Sequence, residues 1–308
     1  MDAGGSGGAA SETRDWSEMT PVLLVNVFRR LSLEDRWRGA MLVCKPWLEA
    51  ARDPALFEAF DLEVFFVGFP DVAAWWTPAF QRRVDSMVRL VASCGGPVVR
   101  LLRVRHCSDY ALELVADRCP NLKILSVKNS QNVTDSSMIK IALGCHMLTE
   151  LDISNCYEIS YKSLELIGQN CPNLMVLKRN LLNWLDPSQH TGIVPDEYLN
   201  ACPQDGDREA LVIAKFMPKL KHLELRFSKL FINGLVSISE GCKVIETLDL
   251  FGCANLTSRG LDQASTNLKN LTALVRPNFY IPRSVFHTER YGHWRLYDER
   301  FQTNVFQI

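Results

Sequence analysis

A chain of 308 residues, 47% apolar and 22% charged, has the composition of a soluble globular protein and the length for more than one domain. Its formal net charge of −1 provides no global field for nucleic acid or a membrane surface, and no apolar run reaches the roughly 20 residues that span a bilayer. Ten cysteines behind an N-terminus with neither a basic start nor an apolar stretch predict free thiols in a reducing compartment, nucleus or cytoplasm.

The opening "MDAGGSGGAASETRD" predicts a disordered tail over 1–14. A helix starts at Thr20, a cap, and Pro21, at the first helical position; Leu23, Leu24, Val27, Phe28 and Leu31 then recur at helical spacing. Ser32 with Asp35 forms a capping-box-like start for a second helix, and Val43, Trp47, Leu48 and Ala51 mark a third. A helical module over 15–60 is too small to rest on its own core. Part of its Leu, Val, Phe and Trp surface must be covered elsewhere, by the rest of the chain or by a partner.

This module resembles an F-box. The match runs through Pro21, Leu23, Leu24, Val27, Phe28, Leu31, Asp35, "VCKPW" at 43–47 and "DPALF" at 53–57, and departs at the start, where "MTP" replaces the usual Leu-Pro. The resemblance implies docking onto a Skp-type adaptor of a cullin-RING ubiquitin ligase. It places that contact on Pro21, Leu24, Val27, Leu31, Val43, Cys44 and Trp47. Phe28, Trp37 and Trp47 read equally well as core of the module.

Residues 61–97 read as a helical linker or N-terminal cap. Its main helix is capped by Thr77, led by Pro78, striped by Phe80, Val84, Met87, Val88 and Val91, and stopped at Gly95 and Gly96. Repeat arrays need such a cover on their open edge; a rigid spacer is the alternative.

From 98 to 278 the chain repeats itself. Cys119, Cys145 and Cys171 stand 26 residues apart, and Leu122, Leu148 and Leu174, then Leu125, Leu151 and Leu177, follow in step. A shorter unit precedes them from Val99, and further units open at Met217, Cys242 and Leu268, giving about seven strand positions. "LDI", "LEL" and "LDL" alternate as half-buried strands do, and "SSMIKIALG" and "LVSISEG" have helical spacing, with Thr134 and Ser160 at the caps. One strand–turn–helix unit cannot bury its apolar face alone, so the layers must stack. The pattern resembles the cysteine-containing class of leucine-rich repeats. That implies an α/β fold: a curved solenoid with parallel strands concave and helices convex. The cysteines recur at two fixed positions, Cys107, Cys156 and Cys253 at one and Cys119, Cys145, Cys171 and Cys242 at the other, and read as small packing residues. Zinc, disulfide and nucleophile readings lack support: there is no C-x₂-C pair, and His106 and Cys107 are strand neighbours facing opposite ways. No metal or cofactor is expected.

Arg179 takes a place held by Val127 and Ile153 in other units, and a long insertion over 182–208 follows, so a distorted ladder is expected there. "QDGD" at 204–207 reads as a turn. The segment 279–308 is rich in aromatic residues and predicts a C-terminal cap; Tyr291, Trp294, Tyr297 and Arg295 would suit a substrate contact, and His287 and His293 make no metal pair. Strand residues flanking the buried leucines should line the concave side: Arg103, Arg105, Ser126, Lys128, Asp152, Ser154, Lys178, Glu224, Arg226, Asp249 and Phe251. Read in order, that face is basic at its N-terminal end and acidic in the middle. An array of this length is expected to be shallow, without a pocket.

The whole chain looks similar to plant F-box/leucine-rich-repeat proteins of the Skp-interacting-partner type. That resemblance implies a non-catalytic substrate-recognition subunit of a Skp–cullin–F-box ubiquitin ligase, the repeats holding a protein substrate. A hormone-dependent co-receptor and a repeat scaffold outside the ligase are the alternatives. No nucleophile elbow, phosphate loop or zinc spacing supports an enzyme.

Overall fold

The computed structural model describes residues 16–67, 71–184, 186–200 and 206–277. The tails predicted at 1–14 and 279–308, with His287 and His293, lie outside them. The chain divides into two compact units between Leu56 and Phe57.

The first unit holds three short helices, α1 (Pro21–Phe28), α2 (Leu33–Arg38) and α3 (Lys45–Ala50). Pro21 leads α1 as expected, but Thr20 contributes its carbonyl, to Leu24 N at 3.1 Å, and its hydroxyl makes no cap. Ser32 does cap α2: its Oγ accepts from Asp35 N at 3.1 Å and donates to the Asp35 carboxylate at 2.7 Å. Leu24, Phe28, Ala40, Ala50 and Leu56 form the core. Phe28 meets the half-buried Trp47 ring at 5.4 Å, and Trp47 Nε1 donates to Trp16 O at 2.9 Å.

The second unit is a layered array. Its strands are β1 (Ala59–Asp61), β2 (Leu101–Arg103), β3 (Ile124–Ser126), β4 (Glu150–Asp152), β5 (Val176–Lys178), β6 (His222–Glu224), β7 (Thr247–Asp249) and β8 (Ala273–Val275). They form one parallel sheet in chain order, with Leu102, Leu125, Leu151, Leu177, Leu223, Leu248 and Leu274 in register. Helices α4 (Glu63–Val67), α5 (Pro78–Gly95), α6 (Asp109–Arg118), α7 (Asp135–Gly144), α8 (Tyr161–Asn170), α9 (Asp196–Asn200), α10 (Gly206–Phe216), α11 (Ile232–Gly241) and α12 (Ser258–Asn267) complete the unit. All but α4 and α9 pack side by side as a second layer. Among the described residues the array is a leucine-rich-repeat solenoid with eight strands, where the repeat pattern shows seven. The additional strand is β1, whose central Phe60 replaces the leucine and pairs with Leu102. β1 and α5 place a strand and a helix ahead of the repeat units that begin at Val99. Thr77 caps α5 as predicted, accepting from Phe80 N at 3.3 Å.

The recurrent cysteines hold layers together. Cys145 Sγ donates to Cys119 O at 3.4 Å and Cys171 Sγ to Cys145 O at 3.5 Å; Cys156 and Cys253 donate to Val127 O and Leu225 O, each at 3.0 Å. Burial pushes the Cys145 and Cys156 thiols up to about 12, which leaves them protonated and unreactive. Burial, then the neighbouring Arg105, lowers His106 to about 3, so it is no base for Cys107, whose own thiol burial pushes up.

A second latch is carboxylate-based. Asp109 accepts from Thr134 N (2.8 Å) and Oγ1 (2.6 Å), and Asp135 accepts from Ser160 N (2.8 Å) and Oγ (2.6 Å). Asp85 takes Ser108 N and Oγ in the same way, and Asp207 takes Phe231 N at 2.8 Å. Thr134 and Ser160 cap their own helices as predicted while binding the acid of the preceding layer. Asp207 lies in the first turn of α10, so the end of "QDGD" is helix and not turn.

Candidate functional site

Two surfaces carry unspent chemistry, one on each unit. On the first, α1 is apolar around nearly its whole circumference. Leu24, Val25 and Phe28 face inward, while Val22, Leu23 and Val27 are 70%, 54% and 41% exposed. Leu42 and Val43, on the α2–α3 connection, are exposed as well. A helix this apolar is stable only when covered on both sides. Of the predicted adaptor contacts, Pro21, Val27 and Val43 are exposed, and Leu31, Cys44 and Trp47 are half-buried. Leu24 is a correction. It is fully buried because it is the i−4 neighbour of Phe28 on the core face, so it supports the surface without belonging to it. Val22, Leu23 and Leu42 were not singled out as contacts. The signal was present, since "PVLLVNVF" has more apolar residues than one stripe can bury.

On the second unit, the strand face carries a groove of about 740 Å³, where a shallow arc without a pocket is the expectation from repeat number. The insertion after β5 builds one wall. Its Val194 and Tyr198 join Trp76, Tyr157 and Leu181 in a small core of their own, with the Tyr157 and Tyr198 rings stacked at 4.6 Å. Leu182 N donates to Tyr157 Oη at 3.0 Å, and Trp184 Nε1 to Phe227 O at 2.7 Å. The ladder beneath is unbroken: Arg179 N bonds Glu224 O at 2.8 Å and Leu181 N bonds Arg226 O at 2.9 Å. The expected distortion is absent because the buried Arg179 is satisfied by Cys156 O, Ile159 O and Glu209.

Seven of the nine charged or aromatic residues predicted for this face line the groove: Arg105, Lys128, Asp152 and Lys178 on one stretch, Glu224, Arg226 and Phe251 on the other. Arg103 is not among them; it pairs with Asp61 at 3.3 Å and Glu150 at 3.2 Å. Asp249 is 4% exposed, its carboxylate held by Arg226 at 2.7 Å and by Phe251 N at 3.0 Å. Asp152 reaches the groove but is also buried, with Oδ1 accepting from Ser154 N at 3.0 Å. Both aspartates close the turn after their strand, an Asx contact that the "D-x-x-x-C" spacing encodes. The charges read as a gradient are paired in the structure. Arg105 pairs with Glu63 at 2.9 Å, Lys128 with Glu63 at 2.8 Å, and Lys178 with Glu224 at 2.8 Å. Each cation meets an acid from another layer, which a strand-by-strand reading cannot see.

Missed residues stand just beyond the strands. Asn129, Asn155 and Asn180 line the groove, with Asn155 Nδ2 donating to Asn129 Oδ1 at 2.7 Å. His106, Asn129, Asn155, Phe227 and Gly252 all occupy the third place after a strand, and all have positive φ. Asparagine and glycine accept that backbone readily; phenylalanine does not. "KNS", "SNC" and "RNL" were the available signal.

Glu224 is the most strongly held acid here. Burial alone would raise it, but hydrogen bonds from Lys178, Asn180 and His222 bring it down to about 2. With its folded value below the ordinary 4.5, Glu224 stabilises the array above about pH 4.5, and that stability is lost as pH falls towards 2. Urea titrations across this window should show a decline that Glu224→Gln flattens, by on the order of 2 kcal/mol. An unchanged pH slope in the variant would refute the assignment.

A family model described as F-box-like matches residues 21–63, and one described as Leucine Rich repeat matches 144–168. Three proteins of Arabidopsis thaliana are similar over most of their length. "F-box protein SKIP1" is 51% identical over 296 residues, 96% of this chain and 98% of that one. "Putative F-box/LRR-repeat protein 19" is 46% identical, covering 91% and 93% of the two chains. "Putative F-box/LRR-repeat protein 9" is 32% identical, covering 81% and 92%.

Proposed function

Because the chain belongs to the F-box/leucine-rich-repeat protein family, we propose that it is the substrate-recognition subunit of a Skp–cullin–F-box ubiquitin ligase. The first unit docks a Skp-type adaptor, and the groove on the repeats holds a protein substrate. The observation that carries this is α1, whose Val22, Leu23 and Val27 stay exposed on a unit too small to spare them. Burying three such side chains at roughly 1.5–3 kcal/mol each supplies a sizeable part of a stable interface. The chain then contributes proximity rather than chemistry: substrate is held near the ubiquitin-carrying enzyme, and the rate gain comes from effective concentration.

A small-molecule co-receptor is the second reading, favoured by the groove's volume, which falls in the range of ligand sites. Its polar, ion-paired walls differ from the mostly apolar lining of such sites, so the protein-substrate reading is preferred.

The test is co-elution of the full chain with a purified Skp-type adaptor. Leu23→Asp with Val27→Asp is expected to weaken binding at least about a hundredfold while leaving the helical circular dichroism intact. Unchanged co-elution of this double variant would refute the adaptor surface.

A further inference from the structure

Resting on the substrate-groove reading above, we propose that the groove selects an unphosphorylated, uncharged peptide segment with one apolar side chain seated against Phe227 and Phe251. The exclusion of charge comes from pairing. Recognition of phosphate or of an acidic peptide needs cations with donors to give. Here all four lysine and arginine side chains in the groove are already paired with a carboxylate, so an anion binds them only in competition with that acid. Glu63 takes Arg105 through both Nε (3.0 Å) and Nη2 (2.9 Å) and also holds Lys128 Nζ at 2.8 Å. Glu224 holds Lys178 Nζ at 2.8 Å, and Asp249 takes Arg226 Nε at 2.8 Å and Nη2 at 2.7 Å. A phosphoryl group brings up to two further negative charges into a site whose acids already match its bases. Asp186 on the insertion wall adds another carboxylate. A basic segment must likewise compete with the cations already held by Glu63, Glu224 and Asp249.

Apart from Asp186, the groove-lining groups outside the ion pairs are uncharged. Asn129, Asn155 and Ser154 form a row of amides and a hydroxyl on adjacent layers, presenting donors and acceptors together, while Asn180 is already spent on Glu224 (2.9 Å) and Arg226 N (3.0 Å). That is the complement of a peptide backbone, whose N–H and C=O groups alternate in the same way. At the end of the row the Phe227 and Phe251 rings meet edge to face at 5.5 Å, with Leu182 packed nearby.

Phe227 carries the second, independent sign. It sits at φ 56°, a backbone region that bulky residues avoid, and is locked there from both sides. Phe227 N donates to Phe251 O at 2.8 Å, and Phe227 O accepts from Trp184 of the insertion at 2.7 Å. A Cβ on Gly252 would collide with the Phe227 ring, so the glycine makes room for it. Strain held in place by surrounding structure is typical of ligand-contacting positions. The insertion thereby fixes the anchor ring as well as forming the wall.

The experiment probes the immobilised full chain with short arrayed peptides in three arms: uncharged, rich in Asp and Glu, and bearing a central phosphoserine. The expected result is capture from the uncharged arm of sequences sharing an aliphatic or aromatic residue. Their affinity should fall about tenfold in Phe251→Ala, and change less than about twofold between roughly 50 and 500 mM salt. Glu63→Gln, which releases Arg105 and Lys128 together, should raise capture of the phosphoserine arm about tenfold. Preference of the unaltered chain for the acidic or phosphoserine arm, lost in Phe251→Ala, would overturn the proposed chemistry while leaving the groove as the substrate site. Capture in no arm that depends on Phe251 would overturn both. Co-elution with the adaptor reports separately on the ligase reading.

Discussion

Glu209→Ala is expected to destabilise the repeat array by about 3–5 kcal/mol, the cost of stranding a buried charge. Arg179 is 1% exposed, and its guanidinium is spent entirely inside the protein. Nη1 reaches Cys156 O and Nη2 reaches Ile159 O, each at 2.8 Å, while Nη2 meets Glu209 Oε1 at 3.1 Å. Burial pulls the arginine towards the neutral form, but Glu209 more than reverses this and keeps it charged. Removing the carboxylate leaves that charge with two carbonyl dipoles and no counterion. The pair also has a position that matters. Arg179 lies three residues before the insertion begins at position 182, and Glu209 lies on α10, just after the insertion ends. Their contact ties the chain on one side of the insertion to the helix on the other. Urea unfolding of the full chain measures the loss, and Arg179→Met combined with Glu209→Gln should recover part of it by removing the charge along with its partner. A Glu209→Ala variant within about 0.5 kcal/mol of the parent would mean that the pair is not buried as described.

The same residue shows where reading a sequence succeeds and where it stops. The 26-residue period placed Arg179 in a stack between Ile153 and Leu225 and marked it as foreign, correctly. Its solution was invisible because Glu209 is 30 positions away, across an insertion with no repeat register. Periodicity reports what each layer does alike, so the strands β2–β8, the caps Thr134 and Ser160 and the cysteine stack were all legible. It is silent on what joins unlike layers. The Asp109 and Asp135 latches, the pairing of Arg105 and Lys128 with a single Glu63, and the insertion's core around Tyr198 all depend on partners brought together by stacking. β1 escaped notice for a related reason: Phe60 fills the leucine position without the cysteine or the spacing that mark the others. The groove followed the same rule. Its charged residues were named from strand alternation, whereas its asparagines and Phe227 lie in the turns, where φ and not side-chain period selects the residue.

On the helical unit the decisive prediction separates two neighbours in sequence. Leu24→Ala is expected to cost about 2–5 kcal/mol, since Leu24 is fully buried and packs one turn from Phe28. A unit of this size holds a margin of only about 3–5 kcal/mol, so the variant should populate the unfolded module substantially. Adaptor binding would then be lost through folding. Leu23→Asp with Val27→Asp removes binding by a different route, because both side chains point outward and their replacement leaves the core intact. Hydrogen exchange distinguishes the two. The α1 amides bonded within the helix, Arg29 N to Val25 O at 3.0 Å among them, should lose protection in Leu24→Ala and keep it in the double variant. Adding adaptor in excess should partly restore protection in Leu24→Ala, since a partner that binds only the folded form pulls the equilibrium back, and should do nothing for the double variant. Retained protection with lost binding in Leu24→Ala would return Leu24 to the interface and displace the surface assigned to Val22, Leu23 and Val27.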